Sequence, residues 1–193
     1  MTQNPIELFQ NLFNEELAQS NLKVPSACCF STIGADGYPN SRFVALKEVN
    51  NNGFVVTGPI STRKGDEARE NSKVSITLWW SVTETQVRIQ GDASLITPEQ
   101  ADHFFAERPR DSQITSHASN QGETIEDPDV LQEVLKNVEK EFEGRDIPRP
   151  ENWGGFCVKP IRIEFLFFSD DRLHRRTLYT KTQDGWDITC LQP

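Results

Sequence analysis

Residues 27–57 read ACCFSTIGADGYPNSRFVALKEVNNNGFVVT, and this stretch decides the fold class. Two short segments of turn-forming residues, 34–37 and 50–53, separate three runs that are rich in β-branched and aromatic side chains. The pattern predicts three strands, at 27–33, 41–49 and 54–57, joined by tight turns. Consecutive strands with such short connections run antiparallel, which disfavours a doubly wound parallel sheet for binding nucleotides.

The rest of the chain extends this pattern into one α+β domain spanning residues 1–193. Asn4 and Pro5 are typical of a helix start, and apolar residues recur at helical spacing behind them. Pro109 indicates that the segment around 108–122 is a loop. The predicted parts are an N-terminal helix at 5–20, barrel strands within 27–95, a helical part at 97–144 with helices at 97–107 and 127–142, and C-terminal strands within 153–193.

Composition limits the function classes that this chain can belong to. It has 193 residues and a net charge of −9, which argues against a protein that coats nucleic acid or an anionic membrane. No apolar run has membrane-spanning length, and Met1–Pro5 does not resemble the start of a signal peptide. The four cysteines form no CxxC pair, so we expect no metal site and mostly buried, reduced thiols in a cytoplasmic protein.

A basic stretch near the C-terminus contrasts with this acidic background. Residues 172–176 read Arg-Leu-His-Arg-Arg, between two runs that are typical of strands. On a strand, Arg172, His174 and Arg176 would share one face, and Leu173 and Arg175 the other. Such a face could bind an anion. Alternatively, the positive charge only protects an exposed sheet edge.

Other basic residues occur where an anion could also be bound. Arg42 and Lys47 lie near the ends of an apolar strand, where long side chains also reach solvent without any ligand. Residues 61–65 place two hydroxyls and an Arg-Lys pair at a helix start, which suits a phosphate but is also ordinary capping. Arg108 and Ser112 remain available in the next loop, where we expect Arg110 and Asp111 to neutralise each other.

Several of these motifs together resemble a known family. They are Ser41–Lys47 (SRFVALK), Thr62-Arg63-Lys64, Gln86-Val87, Arg108–Gln113 (RPRDSQ), Trp153–Phe156 (WGGF), Arg172-Leu173-His174 and the terminal Leu191-Gln192-Pro193. In this order they are similar to pyridoxine/pyridoxamine 5'-phosphate oxidases, from the first helix to the last residue. The stretches at 108–113 and 172–174 are the most specific of the set.

The resemblance implies an FMN-binding split β-barrel, mainly antiparallel, that forms a homodimer with FMN between subunits. It implies a cofactor site that includes Arg42, Phe43, Val44, Lys47, Val56, Thr57, Thr62, Arg63, Lys64, Gln86, Gln121, Gly122, Leu166 and Arg176. It implies a site for a phosphorylated pyridine made of Lys47, Phe104, Arg108, Ser112, Arg172, Leu173 and His174. Arg172 and His174 would be the catalytic residues, holding the reacting carbon against the flavin.

The implied reaction converts pyridoxamine or pyridoxine 5'-phosphate to pyridoxal 5'-phosphate, while molecular oxygen becomes hydrogen peroxide. Four positions depart from the family pattern: Phe104 replaces a Tyr, Leu166 replaces an aromatic residue that is usually Trp, Val56 replaces a Tyr and Gly122 replaces a Ser. Two alternatives therefore stay open. The chain could be a related FMN oxidase with another ring substrate, as in phenazine biosynthesis, or a flavin-binding protein without turnover.

Overall fold

The computed structural model describes residues 4–193; Met1–Gln3, on which the prediction of no signal peptide partly rests, lie outside the described residues. In that part the helices are α1 (Pro5–Gln19), α2 (Arg63–Glu70), α3 (Pro98–Ala106), α4 (Arg110–Ala118) and α5 (Val130–Glu141). The strands are β1 (Ala27–Ile33), β2 (Pro39–Asn50), β3 (Gly53–Pro59), β4 (Lys73–Trp80), β5 (Thr85–Leu95), β6 (Trp153–Phe167), β7 (Arg175–Lys181) and β8 (Trp186–Leu191).

The strands form one antiparallel sheet that closes into a barrel. Their order is β3-β2-β1-β4-β5-β6-β7-β8, and an additional pairing between β3 and β6 closes the first six. The first half of β6 pairs with β3, and its second half pairs with β7. The strand therefore both closes the barrel and carries the β7–β8 hairpin away from it. The predicted fold class, an antiparallel β-barrel with flanking helices, is confirmed.

A bulge in the middle of β6 lets one strand serve both halves. Gln90 pairs with Arg162 and Gly91 pairs with Pro160, so β6 has one extra residue, Ile161, at this point. Pro160 has no N–H to donate, and a bulge is a position where a strand tolerates this. A Cβ on Gly91 would lie 2.3 Å from the carbonyl oxygen of Lys159, so glycine is needed for the close approach of the strands.

Alternating side chains fill the barrel interior. Phe30, Ile76, Ile89, Ile163 and Phe165, from four of the six strands, are all 0–1% exposed. Each such side chain contributes about 1.5–3 kcal/mol by leaving water. Because the side-chain period of a strand is two, this burial fixes the register of these four strands and therefore the face on which their polar residues lie.

Helix α1 covers one part of this core. The Asn4 side chain accepts a hydrogen bond from the Ile6 backbone N–H at 3.0 Å, which confirms the predicted cap. Phe9 is fully buried, with its ring centroid 4.9 Å from that of Phe54 and 5.0 Å from that of Trp80. The apolar face of the helix is thus core, as predicted.

Helices α3, α4 and α5 pack over a second apolar cluster on the outside of the barrel. Its buried members include Val55 of β3, Phe105 of α3, Ile114 of α4 and Trp153 of β6. Val55 and Trp153 belong to the strands that close the barrel, so the cluster ties the helices to that seam. This packing brings α4 close to the start of β6, where the candidate site lies.

The prediction of a loop at 108–122 is wrong, because α4 occupies Arg110–Ala118. Pro109 is the N-cap residue, and proline is compatible with a helix start since the first N–H groups have no helical partner. Ile114 is 4% exposed and anchors the helix in the second cluster. Proline at this position therefore starts a helix rather than excluding one.

The expected pairing of Arg110 with Asp111 is also wrong. The Arg110 guanidinium instead donates to the carbonyl oxygens of Phe142 and Arg145, at 2.6 and 3.0 Å. These carbonyls follow the C-terminal end of α5, where backbone acceptors lack helical partners. Arg110 therefore joins α4 to the end of α5.

Strand β7 begins at Arg175, so the expected alternation over 172–176 is wrong for its first three residues. Arg172 has φ of +62°, a left-handed conformation that no strand residue adopts. A smaller difference is that α5 starts at Val130, after the predicted position 127.

The four cysteines are free thiols, but only Cys28 is buried; Cys29 and Cys157 are half-buried and Cys190 is exposed. The expectation of mostly buried thiols is therefore wrong. Adjacent Cys28 and Cys29 lie on opposite faces of β1. Among residues 4–193, no helix is both long and apolar enough to cross a bilayer.

Candidate active site

A cleft of about 700 Å³ lies where β2, β3, the start of α2 and the start of α4 meet. Five cationic side chains line it: Arg42, Lys47, Arg63, Lys64 and Arg108. None of the described residues that line it is an Asp or a Glu. Concentrated positive charge in a chain of net charge −9 is a local feature of this cleft. Such a lining favours ligands that carry phosphate groups.

The structure brings many of the predicted site residues together here. Those that line the cleft are Arg42, Phe43, Val44, Lys47, Thr57, Thr62, Arg63, Lys64, Arg108, Ser112, Gln121 and Gly122. Val56 is 3% exposed and lines a small adjoining cavity. Phe104 is 6% exposed, packs in the second apolar cluster and does not line the cleft.

The N-terminus of α2 opens toward the cleft. Thr62 is its N-cap residue, but its side chain makes no capping bond, because the hydroxyl donates to the carbonyl oxygen of Pro59 at 3.1 Å. The helix start is thus not capped by a side chain, and its positive dipole end and backbone N–H groups suit an anion. Arg63 and Lys64 begin the helix at this point.

Lys64 connects the helix start to the loop on the opposite side of the cleft. Its Nζ donates to Thr62 Oγ1 and to Gln121 Oε1, both at 2.8 Å. Burial, together with the nearby charge of Arg42, lowers the pKa of Lys64 to about 8. An anion bound here would restore the charged form, so Lys64 is a binding group whose strength depends on pH.

Arg42 and Arg63 share one buried carboxylate, which sequence reasoning missed. Glu67 is 5% exposed and pairs with Arg63 Nε at 2.7 Å and with Arg42 Nη2 at 3.4 Å. Thr32 and Asn40 donate to the same carboxylate, at 2.5 and 2.7 Å. The only sequence signal was the Arg63–Glu67 spacing of four on a helix, which is common on exposed faces.

Arg108 packs against two neighbouring aromatic rings at the other end of the cleft. Its guanidinium carbon is 5.6 Å from the centroid of the Phe105 ring and 5.1 Å from that of Trp153. One nitrogen donates to Ser116 Oγ at 2.5 Å, and burial lowers the pKa of Arg108. Ser112 lies one helical turn before Ser116 and also lines the cleft. The rings fix the guanidinium plane, a role that the sequence pattern did not reveal.

The basic stretch near the C-terminus lines a different cleft, of about 500 Å³. Leu173, His174, Arg175 and Arg176 are among its lining residues, and none of its lining residues lines the cation-rich cleft. Within one chain, the structure therefore does not join the two groups of predicted site residues.

The loop before β7 holds Arg172 in its left-handed conformation. Asp171 accepts hydrogen bonds from Ser169 Oγ at 2.7 Å and from the Leu173 backbone N–H at 2.9 Å. The hydrogen bond from Ser169 lowers the pKa of Asp171, with the Leu173 N–H as the next cause. A left-handed non-glycine residue that its surroundings enforce is common at functional sites.

His174 is oriented by the same loop. Its Nδ1 accepts a hydrogen bond from the Ser169 backbone N–H at 3.1 Å, so in the neutral ring the proton lies on Nε2. The ring packs against Phe168, with 4.5 Å between centroids. His174 can thus present an N–H donor from a fixed ring.

Gln86, Leu166 and Arg176 form a row across the outer face of β5, β6 and β7. Gln86 pairs with Leu166, and Leu166 pairs with Arg176. Arg176 Nε donates to Glu164 at 2.9 Å, and Arg88 pairs with the other oxygen of Glu164. These three predicted cofactor residues are therefore neighbours, but they do not line the cation-rich cleft.

Fold and site together define a class: antiparallel barrel proteins with a cation-lined cleft, which suits phosphorylated ligands. Comparison with known proteins identifies the family within this class. The family described as Pyridoxamine 5'-phosphate oxidase matches residues 14–140, and the Pyridoxine 5'-phosphate oxidase C-terminal dimerisation region matches residues 153–193. The chain belongs to the pyridoxamine 5'-phosphate oxidase family.

Curated relatives named pyridoxine/pyridoxamine 5'-phosphate oxidase match almost the whole chain. That of Rubrobacter xylanophilus is 40% identical over 190 residues, which cover 98% of this chain and 87% of the relative. That of Trichormus variabilis is 37% identical over 191 residues, which cover 98% of this chain and 89% of the relative.

Solved structures share the fold. The structure of PhzG from Burkholderia lata, in complex with tetrahydrophenazine-1-carboxylic acid, has a TM-score of 0.91 and 28% identity, covering 100% of this chain and 94% of that one. A pyridoxamine 5'-phosphate oxidase-related, FMN-binding protein from Nostoc punctiforme has a TM-score of 0.77 and 14% identity, covering 97% of this chain and 96% of that one. At this identity the similarity to the Nostoc punctiforme protein shows only a shared fold.

Proposed function

We propose that this chain is an FMN-dependent oxidase that converts pyridoxamine or pyridoxine 5'-phosphate to pyridoxal 5'-phosphate. One observation carries the proposal: five cationic side chains line a single cleft. Arg42, Arg63 and Lys64 lie together near the start of α2, and we assign Lys47 and Arg108 to a second group. Two such groups suit two phosphates, one on the cofactor and one on the substrate.

The residues of the first group fit the phosphate of FMN. The α2 N-terminus lacks a side-chain cap, and Arg63 and Lys64 start that helix, so backbone and side-chain donors lie at one place. Arg42 approaches from β2 through its link to Glu67. Gln121 reaches the same region through Lys64, and we propose that it contacts the flavin side of the cofactor.

The second group would hold the phosphate of the substrate. Arg108 packs against Phe105 and Trp153 and needs little ordering when it binds an oxyanion. Ser112, in the first turn of α4, adds a hydroxyl, and Lys47 adds a charge from the C-terminal half of β2. Phe104 contributes packing only, since it is buried away from the cleft.

Arg172 and His174 would orient the pyridine ring and the reacting carbon. Bound FMN would supply the redox chemistry, taking a hydride from that carbon and passing the electrons to oxygen, which becomes hydrogen peroxide. An alcohol substrate would give the aldehyde directly, whereas an amine would give an imine that water hydrolyses to the aldehyde and ammonia. His174 would donate from Nε2 to the substrate, because Nδ1 is occupied by the Ser169 N–H. Arg172 would place positive charge beside the reacting carbon from its fixed left-handed turn.

A complete site would require two copies of the chain. Arg172 and His174 lie on a loop whose cleft shares no lining residue with the cation-rich cleft. The match of residues 153–193 to a dimerisation region supports a homodimer in which one subunit supplies the cations and the other supplies this loop. FMN would then lie at the subunit interface, beside the row of Gln86, Leu166 and Arg176.

An oxidase acting on another ring substrate is the second candidate. The Burkholderia lata structure contains a phenazine-type ligand and matches all of this chain at 28% identity. Leu166 in the outer row is smaller than the aromatic residue of the family pattern. This change would leave room for a larger ring beside the flavin.

Oxygen uptake by the purified, FMN-loaded protein distinguishes these candidates. With pyridoxamine and pyridoxine 5'-phosphate as substrates, we expect equal amounts of peroxide and pyridoxal 5'-phosphate. A folded, yellow protein that gives no aldehyde from either substrate would contradict the first candidate. Dihydrophenazine carboxylic acids would then be tested in the same assay.

Mixing two inactive variants tests the shared site. Arg108→Ala and Arg172→Ala should each be nearly inactive alone. If each site takes one residue from each subunit, half of the dimers in an equal, refolded mixture contain one intact site of two. Activity should then return to roughly a quarter of the wild-type value. No recovery in a mixture shown to contain mixed dimers would contradict the arrangement.

A further inference from the structure

Glu67 is a buried carboxylate that the proposed reaction does not use directly. It lies on α2 with 5% exposure, and all its partners are donors. Asn40 and Arg63 donate to Oε1, both at 2.7 Å. Thr32 and Arg42 donate to Oε2, at 2.5 and 3.4 Å. A buried acid with donors on both oxygens has one orientation available to it.

Each oxygen of this carboxylate holds one arginine of the first cationic group. Arg63 binds it through Nε, which leaves a terminal nitrogen of the guanidinium available, although Nη2 is 3.5 Å from Asp36. Arg42 binds it through Nη2, while Nη1 donates to the carbonyl oxygen of Phe30 and to Thr32. The two guanidiniums are therefore fixed relative to each other through one acid.

The local charges also match a phosphate monoester. Arg42, Arg63 and Lys64 carry +3 when charged, and Glu67 reduces this to +2, near the roughly −1.5 to −2 of a phosphate monoester at pH 7. Burial alone would raise the pKa of Glu67, but the hydrogen bonds from Thr32 and Arg63 and the charges of Arg63 and Arg42 outweigh it and lower the pKa. Asp36, also paired with Arg63, is 57% exposed and solvent-screened.

We propose that Glu67 is a positioning residue that orders Arg42 and Arg63 for the phosphate of a flavin cofactor before it binds. The cofactor's identity rests on the function proposed above. The positioning itself rests on the paired geometry of the two arginines. Without Glu67, three neighbouring cations would repel one another, and two long side chains would have to be ordered during binding.

Two effects of removing the Glu67 charge oppose each other. Loss of a negative charge near the anion should strengthen phosphate binding, whereas loss of order in the arginines should weaken it. Freeing one long side chain weakens binding by roughly tenfold, and Glu67 holds two. We expect the loss of order in the two arginines to outweigh the loss of the negative charge, so that the affinity for FMN falls about tenfold.

Titration of Glu67→Gln with FMN and with riboflavin, which lacks the phosphate, tests this. We expect the dissociation constant for FMN to rise about tenfold and that for riboflavin to stay unchanged. Glu70→Gln is the matched control, because Glu70 lies on the exposed face of the same helix and the substitution removes the same charge. An unchanged or tighter FMN constant in Glu67→Gln overturns the proposal, as does an equal loss for both flavins.

Further variants keep the test decisive if Glu67→Gln does not fold. Asn40→Ala removes one neutral donor from the carboxylate and should weaken FMN about threefold; an equal change for riboflavin counts against positioning. In an Arg63→Ala background, Glu67→Asp should weaken FMN less than it does in the wild type, because one of its targets is gone. Equal losses in both backgrounds would overturn the proposal.

Failure of the proposed cofactor can be separated from failure of this inference. A wild-type chain that binds no FMN contradicts the proposed function alone. Inorganic phosphate then becomes the probe, and the rise in Tm that it causes should be largely lost in Glu67→Gln but kept in Glu70→Gln. Equal rises in both variants would overturn the role of Glu67.

Discussion

Raising the pH above 8 should weaken the binding of FMN through Lys64. In the free protein, burial and Arg42 lower the pKa of Lys64 to about 8, so its charge is lost as the pH rises through that value. A bound phosphate favours the charged amine and raises its pKa. Binding therefore takes up a proton above pH 8, and affinity must fall with rising pH.

The size of the effect depends on the pKa of Lys64. At pH 7 nearly all of the free protein has the charged amine, whereas at pH 9 roughly a tenth does. The dissociation constant for FMN should therefore rise about tenfold between pH 7 and pH 9 if the bound pKa lies above 9. The phosphate itself changes charge near pH 6, below this range.

Fluorescence titration of the flavin between pH 7 and pH 9.5 measures this dependence. Riboflavin is the ligand control, because it has no phosphate for Lys64 to bind. Lys64→Met should bind FMN weakly at every pH, and Lys64→Arg should bind it with a flat profile, since a guanidinium stays charged. The reasoning would be refuted by a dissociation constant for FMN that does not change with pH in the wild type. A tenfold rise in that constant between pH 7 and pH 9 that persists in Lys64→Met would refute it too.

Three further substitutions test the loop before β7, the bulge in β6 and the outer face of the sheet. Arg172→Ala should reduce turnover strongly and leave the FMN dissociation constant unchanged; loss of flavin with normal turnover in excess FMN would contradict its role. Gly91→Ala would place a Cβ 2.3 Å from the Lys159 carbonyl oxygen. We expect it to lower the free energy of unfolding, measured by urea denaturation, by about 1–3 kcal/mol. The control Gly154→Ala would place its Cβ no closer than 3.4 Å to a side chain and should lower the free energy of unfolding less. Glu164→Gln leaves two guanidiniums without their shared carboxylate and should cost about 1–3 kcal/mol by the same measurement; an unchanged midpoint would show that solvent replaces it.

The strands could be predicted because burial repeats every second residue. In residues 27–57, the alternation and the turn residues located β1, β2 and β3 within a few positions. The closure of the barrel could not be predicted this way. It depends on β3 pairing with β6 about 100 residues later, and on a bulge at Ile161 that has no local signature beyond the preceding proline.

Two predictions of local structure were wrong because the contacts of a single side chain decide the backbone conformation there. Pro109 favours a loop when only its neighbours are considered, but it is the N-cap of α4, and the burial of Ile114 stabilises that helix. The alternation over 172–176 failed because Asp171 accepts from Ser169 and Leu173 and forms a turn. Both cases depend on contacts that composition and spacing do not encode.

The cations of the site were visible in the sequence, but the acids that orient them were not. The chain has 29 acidic residues, so no single one is conspicuous. Among the described residues, the carboxylates with under 9% exposure are Glu16, Glu67 and Glu164.

Burying a carboxylate is costly unless donors surround it, so a buried acid indicates a residue that orients its hydrogen-bond donors. Glu16 holds the backbone N–H groups of the turn after β4, whereas Glu67 and Glu164 each hold two arginines. Three of those four arginines, at positions 42, 63 and 176, belong to the expected cofactor site. Since an acid can orient an arginine without touching the ligand, these two residues are where substitutions should alter flavin binding from outside the cleft.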